Sequence, residues 1–346
     1  MSSRDPSKRK IERKIGSLEP SFEEWLATVD LLAPLILRIL MEAYSTGVGR
    51  HPYPPLSMFK GSLLRTQSDS LRQVCRKLRR NKDLRKLVGL RKVPKHQTFS
   101  AFIQRIGPER FRRINNLLVL EIRKQYPDFG KILSVDGTFV KAFAKNDLGN
   151  RSSSDPDARF GFKEKKNGKN ILDFGYRSTQ PCDATLGLPL FSITTPANAS
   201  ESKLYRTILR QTKDLGIDFK VVTADKLFDS NLNNALTLGY GAIPIIALNT
   251  RGSKQAKKTG KRQGDRILPI QRGTKEWRYY YRKRSVSERG FSSLKKQLHF
   301  ADLKTRGLAR VACHFTLCII AKLVTALSAF RLGRQDLSRS VVPWGY

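Results

Sequence analysis

Two acidic residues end apolar runs of the sequence. Asp136 follows the run Ile132–Val135, and Asp225 ends the run FKVVTAD. An acid beside a buried strand is costly unless something binds it. Two such acids on separate strands predict a divalent-metal site, because Mg²⁺ prefers carboxylate oxygens together with water and substrate phosphates. Taken singly, each acid is explained as well by a strand-end cap, and Asp147 and Asp173 compete for the first position.

A third acid lies among basic side chains near residue 288. On one helix, with roughly 100° between successive residues, Tyr281, Arg284, Glu288 and Lys295 fall within about 60° of one another. That face would hold a metal-binding carboxylate, two cations and a phenol, which suits a scissile phosphate whose negative charge grows during phosphoryl transfer. On spacing alone, an exposed helix with an Arg284–Glu288 ion pair is the better explanation.

The charge of the chain favours a polyanionic partner. It has 66 Lys and Arg against 29 Asp and Glu, a formal net charge of +37. Such an excess repels itself unless DNA or RNA neutralises it. The four cysteines lack CxxC spacing, which argues against a zinc ribbon or a disulfide framework and favours reduced thiols in the cytoplasm. The first residues contain no apolar signal region.

The first third of the chain has helical patterns. We expect one helix over Glu23–Tyr44 and only helices over Ser57–Tyr126. Between Arg72 and Lys92 there are ten basic residues and one acid. Short helices with a basic surface indicate a helix-turn-helix-type DNA reader. A helical bundle with a solvated basic face remains an equal alternative.

After Tyr126 the pattern changes to short β-branched runs separated by turn residues. Strands are predicted over Ile132–Val140, Ile171–Tyr176, Leu188–Thr194, Phe219–Thr223 and Ala242–Leu248. Helices are predicted over Ser202–Thr212, Ser230–Leu238, Ser285–Leu298 and Leu308–Phe330. Together they indicate a mixed α/β domain, interrupted by two basic stretches, Arg159–Lys169 and Arg251–Arg284. The apolar run Val311–Phe330 has Lys322 near its middle and is predicted to be a buried core helix rather than a membrane span.

The segment YRKRSVSERGFSSLK makes the chain recognisable. Its spacing, Tyr-(2)-Arg-(3)-Glu-(6)-Lys, resembles the signature of insertion-sequence transposases with a DDE catalytic domain, specifically the fourth insertion-sequence family and its relatives. SVDGTFVKA resembles their first-Asp block, and VVTADKLFDS resembles their second. DPDARFGFK, FGYRS and TPANASES resemble their connecting segments, and the region from HPYPPLSMFK to TFSAFIQRIG is similar to their N-terminal domain. The resemblance runs from about His51 to Phe330.

This resemblance implies an α/β, ribonuclease-H-like mixed sheet with flanking helices, preceded by an all-helical DNA-binding domain. The first Asp would lie on the first strand, the second after the fourth strand, and the Glu on a later helix. Asp136, Asp225 and Glu288 would then be the catalytic and metal-binding acids, holding two Mg²⁺ or Mn²⁺ ions, and Asp173 would not belong to the site. Tyr281, Arg284 and Lys295 would contact DNA. The sequence departs from the family pattern at Lys226–Phe228, where small residues are common.

The implied function is that of a DNA transposase. It would bind the ends of its insertion sequence, cleave them by metal-dependent hydrolysis and join the 3′ ends to target DNA by transesterification. Its partner would be double-stranded DNA, bound by a homodimer, in the cytoplasm of a prokaryote at the nucleoid. We expect a DNA-binding domain over 1–126, a catalytic domain over 127–335 with a basic insertion near 249–280, and a tail over 336–346. A nuclease without joining activity and a non-catalytic DNA-binding descendant are the alternatives.

Overall fold

The computed structural model describes residues 20–44, 52–144, 153–164, 170–250, 258 and 263–345. The expected first half of the basic insertion, residues 251–257 and 259–262, lies outside these residues, as do Asp147 and residues 1–19. Within the described ranges the chain forms a group of helices followed by a mixed sheet with helices packed around it.

The N-terminal part is entirely helical, as expected. The expected helix over Glu23–Tyr44 is instead two helices, because the chain turns at Leu32 and Pro34 lies in the first turn of the second helix, where its missing N–H costs nothing. The last helix of this part is kinked at Gly107, whose φ of 72° precedes Pro108. The helices are α1 (Phe22–Leu31), α2 (Ala33–Met41), α3 (Pro55–Leu63), α4 (Leu71–Arg80), α5 (Lys82–Val88) and α6 (His96–Gln125).

The sheet is built around one long strand. Its strands are β1 (Ile132–Lys141), β2 (Arg159–Glu164), β3 (Asn170–Asp183), β4 (Ile193–Pro196), β5 (Val221–Ala224) and β6 (Ile243–Ile246). The strand β1 pairs antiparallel with β3 and parallel with β5, and β6 continues the parallel part. Both β2 and β4 pair with β3 along its other edge. This mixed sheet, with α-helical crossovers into β5 and β6, confirms the expected fold class.

One strand was not predicted. The segment Arg159–Glu164 was expected to be part of a basic connecting stretch, but it forms β2 and pairs with the first half of β3. The ring of Phe160 packs against that of Phe174, with 5.3 Å between ring centroids. Because of this extra strand, the second acid follows the fifth strand in chain order and not the fourth, although its strand still lies beside β1.

Helices cover the sheet and supply the centre of the core. They are α7 (Glu201–Asp214), α8 (Asn231–Gly239), α9 (Lys275–Arg282), α10 (Ser285–Gln297) and α11 (Leu308–Arg331). By length and composition alone α11 could cross a membrane, but 94% of its most apolar window is buried inside the protein. Lys322 within it donates a 2.8 Å hydrogen bond to Ser293 of α10. The helix α11 is therefore a core helix, as predicted.

The N-terminal helices and the sheet share one hydrophobic core. The side chains of α1 pack on α11, where the indole N–H of Trp25 donates a 3.0 Å hydrogen bond to Thr325 and the hydroxyls of Thr28 and Ser328 lie 2.7 Å apart. The expected boundary at residue 126 falls between α6 and β1. At the other end, Trp344 of the expected tail is completely buried. Both terminal regions are therefore packed onto the α/β part.

Candidate active site

Asp136 and Asp225 lie side by side on neighbouring strands. The strands β1 and β5 run parallel, and Val135 pairs with Ala224 in their register. Each acid is the next residue after its member of that pair, and adjacent strands lie only about 4.8 Å apart. The resemblance therefore selects two acids that the sheet brings together.

These two carboxylates are not neutralised by the protein. Asp136 accepts a hydrogen bond from the N–H of Gly137 at 2.8 Å, and Asp225 accepts one from the N–H of Leu227 at 2.7 Å. Among the described residues, neither forms an ion pair with Lys or Arg. Burial, followed by the charges of Asp225 and Glu201, raises the pKa of Asp136 to about 7, against the lowering effects of the Gly137 N–H and Arg284. Paired, uncompensated carboxylates fit a divalent cation.

The helix α10 is fastened to β1 on both sides of Asp136. Two residues before the acid, the Ser134 hydroxyl lies 2.7 Å from that of Ser287, and it also contacts the carbonyl of Arg284 at 3.2 Å. Two residues after the acid, the Thr138 hydroxyl accepts a 2.6 Å hydrogen bond from Lys295. The helix segment that carries the third predicted acid is thus held over the first.

Glu288 lies across a cavity from Asp136 but does not join the two aspartates. Both residues line a space of about 400 Å³, together with Thr138 and Lys295. The Glu288 side chain is 55% exposed, and its Oε1 lies 2.7 Å from an Arg284 nitrogen. No three His, Cys, Asp or Glu side chains in the described part of the chain are close enough to hold one ion. The three acids therefore share a site that is not drawn together in this conformation.

The signature residues do not lie on one helix, so that expectation is wrong. The helix α9 ends at Arg282 and α10 begins at Ser285. Between them the backbone tightens, because the N–H groups of Lys283, Arg284, Val286 and Ser287 each bond a carbonyl three residues earlier. The ring of Tyr281 stacks on Trp277 with 4.5 Å between centroids, and the Arg284 guanidinium lies 5.6 Å from the Tyr281 ring centre.

Arg284 has unused hydrogen-bonding capacity. Its Nε is buried and has no hydrogen-bond partner in the described part of the chain. Such an orphaned donor of a cation, beside a cavity lined by Lys295 and Lys296, suits an anionic oxygen. Arg284, Glu288 and Lys295 meet at this cavity, whereas Tyr281 packs behind Arg284.

The rival acid Asp173 lies elsewhere. It pairs with Gly161 across β2 and β3, and its carboxylate lies 3.5 Å from the amine of Lys141. Lys141 is five residues beyond Asp136 on β1, a distance of about 17 Å along a strand. The structure thus keeps Asp173 away from Asp225, as the resemblance implies.

A fourth acid was missed by the sequence reasoning. Glu201 is the first residue of α7 and is only 8% exposed. Its carboxylate lies over Gly137, so that a Cβ atom there would overlap it, and it forms an ion pair with Arg177. Burial raises the pKa of Glu201, opposed by Arg177 and reinforced by Asp225. The only signal in the sequence was an acid following a serine in TPANASES, a pattern typical of any helix N-terminus.

Comparison with known proteins agrees with this site. A family model described as "Transposase DDE domain" matches residues 127–323, more than half of the chain, and one described as "Transposase domain (DUF772)" matches residues 13–105. No curated protein sequence matches the chain.

Similar solved structures are distant. The piggyBac transposase synaptic complex with hairpin DNA is 11% identical over 88% of this chain and 74% of its own, with a TM-score of 0.41. The Mos1 transposase paired-end complex with the left transposon end is 12% identical over 84% of this chain and 93% of its own, with a TM-score of 0.20. TM-scores this low do not by themselves establish a shared fold, and the assignment depends on the family match and on the sheet. The chain belongs to the DDE transposase family and is a DNA transposase.

Proposed function

We propose that Asp136, Asp225 and Glu288 are the catalytic acids and hold two Mg²⁺ or Mn²⁺ ions. The observation that carries this proposal is the pair of adjacent, uncompensated aspartates at the ends of parallel strands, with Glu288 across the same cavity. The DDE family uses divalent metal in general. Carboxylate oxygens, without His or Cys, are the ligands that such hard cations prefer.

The reaction has two steps of the same type. Water adds across a phosphodiester at each end of the element, breaking the bond to the 3′ oxygen and leaving a free 3′-hydroxyl. That hydroxyl then attacks a target phosphodiester, so that one P–O bond forms as another breaks and no nucleotide cofactor is consumed. Bound divalent ions would supply activation of the attacking oxygen and stabilisation of the leaving oxygen.

Arg284 and Lys295 would bind the phosphates next to the cut. Both line or border the cavity between Asp136 and Glu288, and Arg284 has a buried donor to spare. A phosphate oxygen that takes Arg284 would also release Glu288 from its ion pair and allow the third acid to approach the aspartates. Tyr281 would set the position of Arg284 by lying against its guanidinium, and would contact the DNA backbone at its exposed edge.

DNA would also contact the N-terminal helices. Residues Arg72, Arg76, Arg79 and Arg80 of α4 are exposed, as expected for a basic DNA-reading surface. A cleft of about 520 Å³ between these helices and α11 is lined by Arg72, Lys304, Arg310 and the half-exposed ring of Phe143. Phosphates attract such cations irrespective of sequence. We therefore place the bound end along α4 and this cleft, on its way to Asp136.

The active form would be a homodimer, because two element ends must be held together for joining. We place this activity at the nucleoid in the prokaryotic cytoplasm, where the element and its target lie. The 1–126 region would provide recognition of the ends, the 127–335 region the chemistry, and the basic stretch near 249–280 further contact with DNA.

The test uses the purified chain and DNA with the inverted repeats that flank its gene. With Mg²⁺ we expect ends with a free 3′-hydroxyl and their covalent joining to a target plasmid, both lost in Asp225→Asn. Cleavage without joining, also when pre-cut ends are supplied, would favour a nuclease of this fold. No cleavage by the wild-type chain, despite specific end binding, would favour a non-catalytic DNA-binding protein.

A further inference from the structure

Glu201 is a buried carboxylate beside the proposed metal site that the reaction scheme leaves without a role. It reaches the sheet from the N-terminus of α7, between β4 and β5 in the chain. Its carboxylate occupies the space over Gly137, the residue directly after Asp136. Only glycine leaves room for it there, since any side chain would begin inside the carboxylate.

An elaborate set of contacts holds Glu201 in place. Its partner Arg177 lies on β3, opposite Phe139 of β1. The same guanidinium donates to the carbonyl of Ala197 at 3.0 Å and to that of Phe162 at 2.8 Å. One arginine thus ties together β2, the end of β4 and the start of α7. The Glu201 carboxylate has little freedom to turn away from Gly137.

The direction of the charges is informative. The negative charge of Glu201 acts on both Asp136 and Asp225, whereas Arg177 affects neither of them measurably. The carboxylate therefore lies on the aspartate side of its ion pair and the guanidinium on the far side. Three like charges so close together cost stability in a protein without metal. A purely structural ion pair would not need to face the aspartates.

We propose that Glu201 is a positioning residue of the metal site, whose fixed negative charge beside Asp136 and Asp225 strengthens divalent-cation binding while its carboxylate holds the Gly137 backbone in place. This proposal depends on the proposed function of the two aspartates. Glu201 does not need to touch the ion, because a charge at a few ångströms in a partly buried site acts through space. Its partner Arg177 meanwhile stays bound to Glu201 and does not pair with the aspartates.

The test is Mn²⁺ binding to the full chain without DNA, measured by the loss of the free-Mn²⁺ electron paramagnetic resonance signal. Glu201→Gln removes the charge and keeps the shape and a hydrogen bond to Arg177. Glu201→Asp keeps the charge and shortens the side chain. We expect the Kd for Mn²⁺ to rise roughly tenfold in Glu201→Gln, equivalent to about 1.4 kcal/mol, and clearly less in Glu201→Asp. A packing role gives the opposite order, and either that order or wild-type affinity in Glu201→Gln overturns the proposal.

Two controls separate this inference from the function it depends on. Glu109→Gln removes an exposed acid that pairs with Arg112 on α6, and it should leave the affinity unchanged. Asp136→Asn should abolish strong binding; if it does not, the proposed metal site itself is wrong. Should Glu201→Gln fail to fold, Gly137→Ala replaces it, because the added methyl displaces the carboxylate. We expect weaker Mn²⁺ binding in that variant too, and wild-type affinity there overturns the proposal.

Discussion

Replacing Asp136 by asparagine should stabilise the protein when no metal is present, and more so at higher pH. The pKa of Asp136 is raised from its ordinary 3.8 to about 7 by burial and by the charges of Asp225 and Glu201. The folded state therefore binds this proton more tightly than the unfolded state does. Stability from this group is complete below about pH 4 and is lost as the pH rises through about 7. Asparagine carries no charge and does not suffer this loss.

The size of the effect follows from the difference between the two pKa values. At about 1.36 kcal/mol per pH unit, a rise from 3.8 to about 7 corresponds to at most about 4 kcal/mol. Asp136 is only partly buried, so solvent screening reduces the expected gain to about 2 kcal/mol at about pH 8. At about pH 5 the free energies of unfolding of Asp136→Asn and wild type should differ by less than about 1 kcal/mol.

Urea unfolding in EDTA at both pH values measures this difference. All other titrating groups are common to the two proteins, so their contributions cancel in the comparison. Asp173→Asn is the matched control, since Asp173 is an aspartate on the neighbouring strand that pairs with Lys141, and its effect should not change with pH. Added Mg²⁺ should stabilise the wild type and not Asp136→Asn. A difference that is the same at both pH values, or a less stable Asp136→Asn, would refute the reasoning.

Further expectations concern the phosphate-binding cations, the packing of the N-terminal helices and the salt dependence of binding. Arg284→Ala and Lys295→Ala should each slow single-turnover cleavage of a pre-nicked end by roughly 10²-fold, and together by less than the product, because both act on the same transition state; wild-type rates would show that both merely decorate the helix. Trp25→Ala should lower the free energy of unfolding by about 3–5 kcal/mol in a chemical denaturation experiment, because its fully buried ring and its bond to Thr325 are lost; a loss below about 1 kcal/mol would mean that α1 does not pack on α11 in solution. Binding of the full chain to end DNA should weaken steeply with salt, and Arg72→Ala with Arg76→Ala should reduce the slope of log K against log [salt] by about 1.8, at 0.9 for each phosphate contact; an unchanged slope in fluorescence anisotropy titrations would remove α4 from the interface.

Local hydrophobic patterns predicted much of the fold. The helices α8, α10 and α11 begin and end within about two residues of their predicted limits, and β1 within about one. Their apolar residues repeat with a clear period, and capping side chains such as Ser230 mark their starts. The buried Lys322 likewise identified α11 as a core helix before the structure did. These features depend on neighbours along the chain.

The features that were not predicted depend on contacts between distant segments. The strand β2 is short and basic, and it forms because β3 offers an edge for pairing. The signature segment reads as one helix, but its backbone tightens at Lys283 and Arg284, where the bonds between Ser134 and Ser287 fasten α10 to β1. The approach of Glu201 to Gly137 follows from the way α7 packs against β1 and β3. No periodicity in the sequence carries that information.

The packing of α1 on α11 was also not foreseen, and it changes one experiment. Composition alone favoured a separate N-terminal DNA-binding domain over 1–126. The structure joins both regions through Trp25, Thr28, Thr325 and Ser328 in a single core. A fragment that ends at residue 126 would lose this partner, so that DNA recognition is best measured on the full chain with substitutions.

Single-turnover cleavage of end DNA by acid variants tests the central claim most directly. Asp136→Asn, Asp225→Asn and Glu288→Gln remove one carboxylate each and change little else. Because carboxylates repel phosphate but bind the metal, each variant should bind end DNA as well as wild type, within about threefold, and cleave at least about 10³-fold more slowly in Mg²⁺ or Mn²⁺. Full cleavage activity in Asp136→Asn, or in Glu288→Gln with DNA bound, would contradict the assignment of these three acids as the catalytic site.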